Sequence, residues 1–187
     1  MGPAIGLLEL SKLSKGYVAA DAVVKKAQVT LLLTKAVSPG KFLLLFHGDE
    51  EAVAEALQAG REAADATLVD ETYIPNLDPQ VLRALTSPVA PVPVDSLGLV
   101  EAYSAASGVR CADLAVKHTD VHLLTLRLAA GIGGKSFLVF CGALHEVEAS
   151  LSVCREYLET TGMLAAVELI AAPHEDLVAA LVKPEET

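Results

Sequence analysis

Ile5-Gly6-Leu7-Leu8-Glu9, at the start of the 187-residue chain, returns as Leu97-Gly98-Leu99-Val100-Glu101. The same offset of 92 carries Gly16, Ala20, Asp21, Val24, Lys25 and Val29 onto Gly108, Ala112, Asp113, Val116, Lys117 and Val121. Past a loop the offset becomes 94, pairing Gly40-Lys41 with Gly134-Lys135, Gly48 with Gly142, Leu57 with Leu151 and Arg61-Glu62 with Arg155-Glu156. It then becomes 96, matching Leu68, Ile74 and Leu85 with Leu164, Ile170 and Leu181. Matches that hold their order this far mark an internal duplication, with each copy one folding unit. The first unit spans residues 4–85 and the second 97–183. Between them, residues 86–96 carry Pro88, Pro91 and Pro93, which forbid helix and favour an extended, stiff connector.

Within each copy the order reads strand, helix, strand, strand, helix, strand, short helix. Ile5–Leu10, Val29–Lys35 and Lys41–Phe46 are the first three strands. A first helix over Ser14–Ala27 sets Leu13, Tyr17, Ala20 and Val24 on one stripe, expected to face the core. A second helix opens after Gly48 with Asp49, Glu50 and Glu51 at its positive end, and buries Val53, Leu57, Gly60 and Ala64. The fold class is α/β of the α+β kind: two tandem domains, each an antiparallel sheet covered by helices. Units of about 90 residues are marginal alone, so association between halves and between chains is expected.

Fourteen basic against 24 acidic side chains give a net charge of −10, which argues against nucleic acid as a partner. Apolar residues make up 52% and charged residues 20%, a composition that folds. No apolar run reaches the roughly 18 residues a membrane helix needs, and the first residues lack the pattern of a secretion signal, so a cytoplasmic location is expected. Cys111, Cys141 and Cys154 include no C-x-x-C spacing, and disulfides are not expected.

Candidate chemistry is sparse. Ala129-Ala130-Gly131-Ile132-Gly133-Gly134-Lys135-Ser136 approaches a phosphate loop but lacks its first glycine, and Phe137-Leu138-Val139-Phe140 after the lysine reads as strand instead of helix. A glycine loop between two strands is the better reading. His118 and His122 bracket a helix end and a strand start, so they need not share a face, and His47 and His145 lack companions to complete a ligand set. Cys154 lies on the stripe Val147, Leu151, Leu158, as a buried thiol would. Asp21 with Lys25, and Asp113 with Lys117, are acid-first helix pairs four residues apart. No Ser/His/Asp set, carboxylate dyad or activated cysteine assembles, so no enzymatic activity is expected.

Ala4-Ile5-Gly6-Leu7-Leu8-Glu9-Leu10, Lys15-Gly16, Ala20-Asp21-Ala22, Lys25 and Val37-Ser38-Pro39-Gly40-Lys41-Phe42 resemble the bacterial microcompartment shell domain, and copy two repeats the resemblance. The tandem arrangement is similar to the trimeric shell proteins, closest to the propanediol-utilisation T type. The resemblance implies a homotrimer whose six domains form a flat pseudohexameric tile. Such tiles join with other shell proteins in the microcompartment shell, and small metabolites cross through a central pore.

By the same resemblance the pore is lined by Val37, Ser38, Pro39 and Gly40 and, from copy two, by Gly131, Ile132, Gly133 and Gly134. Some T-type members hold an iron-sulfur cluster on a cysteine at the position of Ser38. A serine argues against that cofactor here, so no cofactor or metal is expected and a metabolite pore is preferred over an electron relay. A trimeric effector-binding regulator is the remaining alternative. Lys25 and Lys117 are implied at the tile edges. The family's Pro-Arg-Pro-His segment corresponds to Pro75-Asn76-Leu77-Asp78 and Ala171-Ala172-Pro173-His174, where Asn76 and His174 are implied edge contacts and the arginine is missing from both.

Overall fold

The computed structural model describes residues 3–87 and 92–182, without the side chain of Val182. Residues 88–91 of the expected connector and residue 183 of the second unit lie outside that range. Copy one contains β1 (Ala4–Leu10), α1 (Leu13–Lys26), β2 (Thr30–Val37), β3 (Lys41–Gly48), α2 (Glu50–Ala64), β4 (Leu68–Ile74) and α3 (Pro79–Thr86). Copy two repeats the order as β5 (Ser96–Ala102), α4 (Ala105–His118), β6 (His122–Leu128), β7 (Ser136–Gly142), α5 (Leu144–Thr161), β8 (Leu164–Ala171) and α6 (Glu175–Val182). Two antiparallel four-stranded sheets result, ordered β2-β3-β1-β4 and β6-β7-β5-β8.

β1 and β3 occupy the sheet centre and are buried on both faces, which is why their sequences are mostly apolar, with Glu9 the one charged residue within β1. On one face Leu8, Leu10, Phe42, Leu44 and Phe46 meet Ala19 and Val23 of α1 and Val53 and Leu57 of α2. Gly6 lies under the Phe46 ring, where a Cβ would come within 2.6 Å of Cζ; Gly98 lies under Phe140 in the same way, at 2.4 Å. The repeated glycine of the opening motif is therefore fixed by aromatic packing.

The opposite face decides how the copies join. Ile5, Leu7, Leu45 and Ile74 belong to one continuous core with Ala106, Val109 and Ala112 of α4, so copy two covers the sheet of copy one. This corrects the expected stripe of α1. Of its four residues only Ala20 is buried, whereas Leu13, Tyr17 and Val24 are 41%, 62% and 44% exposed. The arc of α1 that meets its own sheet runs through Gly16, Ala19, Ala20 and Val23. The α4 counterparts of the expected stripe Leu13, Tyr17, Ala20 and Val24, namely Ala105, Val109, Ala112 and Val116, are all buried because copy one packs over them. The spacing identified a real apolar face, but one that needs a neighbouring domain to cover it. The α2 stripe Val53, Leu57, Gly60, Ala64 and the α5 stripe Val147, Leu151, Cys154, Leu158 are buried as expected.

Candidate functional site

The hairpins β2–β3 and β6–β7 carry the two loops singled out from the sequence. In copy one the turn closes with Gly40 N donating to Val37 O at 2.9 Å, and Gly40 takes φ +92°. Ser38, Pro39 and Gly40 are exposed and Val37 is buried. In copy two Ala129 N donates to Lys135 O at 2.8 Å, while Gly131, Gly133 and Gly134 adopt φ values of 66–79° that suit glycine. Gly131 and Gly133 are exposed and Ile132 is half-buried. The two tips touch: a Cβ on Gly134 would lie 2.8 Å from Pro39 Cδ and 3.0 Å from Ser38 O. Ser38 and Pro39 of copy one thus lie against Gly134 of copy two. Lys135 runs straight into β7, so no helix N-terminus stands behind this loop to receive a phosphate.

At the foot of each hairpin stands an ion pair that the sequence reading did not single out. Glu9, 0% exposed on β1, accepts from Lys41 Nζ at 2.7 Å through Oε1 and from Ala105 N at 2.7 Å through Oε2. A buried carboxylate is tolerable with both oxygens engaged, and here the second donor is the open N-terminus of α4. The equivalent Glu101 pairs with Lys135, but its side chain is 35% exposed. The signal was legible: one glutamate inside each apolar first strand, one Gly-Lys at each third.

The joint continues along α4. Asp70 Oδ2 accepts from Ser104 Oγ and, at 2.8 Å, from Ser107 Oγ, while Ser104 Oγ caps α4 by accepting from Ser107 N at 3.0 Å. Asp113 Oδ1 accepts from Asp78 N at 2.9 Å, and its Oδ2 accepts from Lys117 Nζ at 2.7 Å. Gln80 of α3 brackets the start of β6, donating to Val121 O at 3.3 Å and accepting from Leu123 N at 3.2 Å. The Asp113–Lys117 pair is thus part of an interdomain contact, with Asp113 buried, whereas Asp21–Lys25 at 2.6 Å lies in the open on α1.

The residues implied at tile edges divide in two. Lys117 Nζ also donates to Asn76 O, so the structure brings that pair together. Lys25 lies in the last turn of α1 and His174 follows β8, and no described contact joins them. His118 and His122 are both exposed at the ends of separate elements.

All three cysteines are buried in α4, β7 and α5, away from both tips. The Cys111 thiol is pushed far up by hydrogen bonding with Cys154 and by burial, and burial also raises Cys141. With Ser38 on the loop and every thiol in a core, the donor set does not fit a cysteine-ligated cluster at the tips. Among the described residues no group of three or more His, Cys, Asp or Glu is arranged to hold a metal ion, and no helix is long and apolar enough to cross a membrane.

Two duplicated domains, each a β-α-β-β-α-β-α unit with a glycine-bearing hairpin tip, define a class, and the sequence bears it out. The BMC-domain family matches residues 4–77 and again 96–173, so the chain belongs to the BMC-domain family, with the domain present twice. Among its relatives is the bacterial microcompartment shell protein PduT of Citrobacter freundii, 38% identical over 177 residues that span 95% of this chain and 96% of that one. The EutK shell protein of Salmonella typhimurium is 42% identical over 64 residues, covering 34% of this chain and 39% of its own. A crystal structure of a microcompartment protein from Desulfitobacterium hafniense superposes with a TM-score of 0.84 at 38% identity, covering 95% and 98% of the two chains. A fused, permuted hexameric shell protein shares the fold at a TM-score of 0.61 and 21% identity, covering 84% and 82%.

Proposed function

We propose that this structural shell protein of a bacterial microcompartment works as a homotrimer, a pseudohexameric tile in which the hairpin tips of three chains surround a pore for small metabolites. One observation carries the reading: the chain contains one complete joint between copies and both halves of a second. The complete joint seats the N-terminus of α4 on Glu9 and buries Leu7 and Leu43 entirely. The open halves are α1, with no side-chain cap and with Leu13, Tyr17 and Val24 exposed, and copy two's sheet, where Glu101, Leu99 and Phe137 stand partly uncovered. Beside Glu101, a cleft of about 440 Å³ lined also by Ile132, Lys135, Ser136 and Phe137 occupies the place that α4 fills in copy one.

Placing α1 of a second chain in that seat repeats the internal joint, and a head-to-tail contact between unlike halves closes into a ring when its rotation allows. The second joint differs in chemistry. Lys12 and Lys15 stand where α4 has Ser104 and Ser107, and Ala166 takes the place of Asp70 opposite the buried glutamate. The ring gathers Val37, Ser38, Pro39, Gly40, Gly131, Ile132, Gly133 and Gly134 of each chain around its axis, with the Ser38 hydroxyls offering polar contacts to solutes. Lys25, Lys117, Asn76 and His174 lie toward the rim, where neighbouring shell proteins pack. The chain carries out no catalysis and holds no iron-sulfur cluster in this reading.

Light scattering on the purified protein tests the ring: three chains of 19.5 kDa give a particle of about 58 kDa. Micrographs should show flat triangular or hexagonal tiles. A monomer at micromolar concentration, or a ring with tips pointing away from its axis, refutes the proposal.

A further inference from the structure

The helix α3 belongs to copy one by sequence and to copy two by packing. Gln80 donates to Val121 O at 3.3 Å and accepts from Leu123 N at 3.2 Å, both at the start of β6. Val81, fully buried, shares one core with Val116, Val121 and Leu123 of copy two, all of them buried. Its counterpart α6 starts from the same place on its own sheet. Leu181 packs on the cluster that holds Leu97 and Val139, and Leu85 packs on the core that holds their counterparts Ile5 and Leu45. Beyond that root the two helices differ in cover. Leu177 stands where α3 has Val81 but is 39% exposed, in a helix that reads Leu177-Val178-Ala179-Ala180-Leu181.

The seat that α3 finds on copy two is repeated on copy one, and there it is open. Val24 and Leu31, the counterparts of Val116 and Leu123, are 44% and 37% exposed. Each chain therefore carries one seated arm, one bare arm and one bare seat. We propose that α6 reaches across to the neighbouring chain of the ring and packs on its α1 and β2, with Leu177 against Val24, Val29 and Leu31. The occupant is a second copy of this chain because the same arm and the same seat are already joined within the chain, as α3 on α4 and β6. Covering apolar surface on both partners drives the contact. The inference rests on the head-to-tail ring and adds to it a contact made by a different element from α1. Its polar bracket is not that of α3. Asp176 takes the place of Gln80, so its carboxylate can accept from Leu31 N but has no N–H to give to Val29 O. Apolar contact thus carries more of this joint than of the internal one.

Cross-linking tests the arm. Asp176→Cys and Leu31→Cys are placed together in the full-length chain, which is treated with a short bismaleimide at a concentration where light scattering reads a trimer. Covalent dimers and trimers should appear on a denaturing gel for the double variant. Neither single variant should give them, nor the parent chain, whose own cysteines are buried. Leu177→Asp should weaken the trimer about tenfold or more per joint, as uncovering part of a leucine side chain requires. Ala179→Ser is the matched control, since its counterpart Arg83 stays exposed, and the trimer should persist. A trimer whose double variant runs as single chains on the gel overturns the arm and leaves the ring intact. So does a trimer that Leu177→Asp leaves as stable as Ala179→Ser. A parent chain that is itself monomeric refutes the ring and the arm together.

Discussion

Tyr17→Ser on α1 tests whether the apolar face left open by one chain is an intersubunit joint. Tyr17 is 62% exposed, while its counterpart in copy two, Val109, is fully buried under copy one. Aromatic side chains bury roughly 200 Å² when fully covered, so seating Tyr17 removes about 120 Å² from water. At about 25 cal/mol per Å² this comes to about 3 kcal/mol per joint, an upper figure that corresponds to about a hundredfold in the dissociation constant. A ring contains three such joints, so the substitution should turn a trimer stable at nanomolar concentration into one that dissociates in the micromolar range. Mass photometry and sedimentation velocity across that span read the change directly. Val18→Ser is the matched control. Val18 is 53% exposed, but its counterpart Arg110 stays half-exposed at the internal joint, so this face is not covered and the trimer should persist. Tyr17→Ser assembling as well as the parent chain, or Val18→Ser dissociating equally, refutes head-to-tail seating of α1. Tyr17 also packs edge-on to Phe42 at 4.9 Å, so a melting curve of each variant separates loss of assembly from loss of fold.

Gly134→Ala forces a Cβ against Pro39 and Ser38 at φ +79°, and in chemical denaturation should lower stability by more than Gly133→Ala, which at φ +66° bears only the left-handed backbone cost of about 1 kcal/mol because its Cβ meets open space. Glu9→Gln keeps the shape but removes the charge that Lys41 Nζ and the α4 N-terminus share; a loss of about 1–3 kcal/mol in the same assay is expected, with Glu101→Gln costing less while its side chain remains partly exposed. Because hydrogen bonding and burial raise Cys111, and burial raises Cys141, neither thiol is ionised near pH 8. Both should resist iodoacetamide in the folded protein and react once it is unfolded, as peptide mass spectrometry would show. Rapid modification of native Cys111 would contradict that account.

Much of this architecture was legible along the chain. The duplication, the order of elements and the buried stripes of α2 and α5 followed from repeated residues and from the helical and strand periods, which are local geometry written into spacing. The glycine loop was legible as well, because an apolar run after Lys135 leaves room for a strand and none for a phosphate-binding helix. The foot of the hairpin was not. Glu9 meets Ala105 N across 96 residues, Ser104 meets Asp70 across 34 and Asp113 meets Asp78 across 35, and no spacing rule connects such partners. The side of α1 that would be covered was equally hidden. A period of 3.6 residues marks which residues share a face, but burial depends on what stands opposite, and that is set only when two sheets and their helices pack. The sequence alone determined a twin-domain chain with two hairpin tips; tertiary packing decided that those tips touch, that α4 has a seat and that α1 still presents an open apolar face, because these follow from contacts between distant segments.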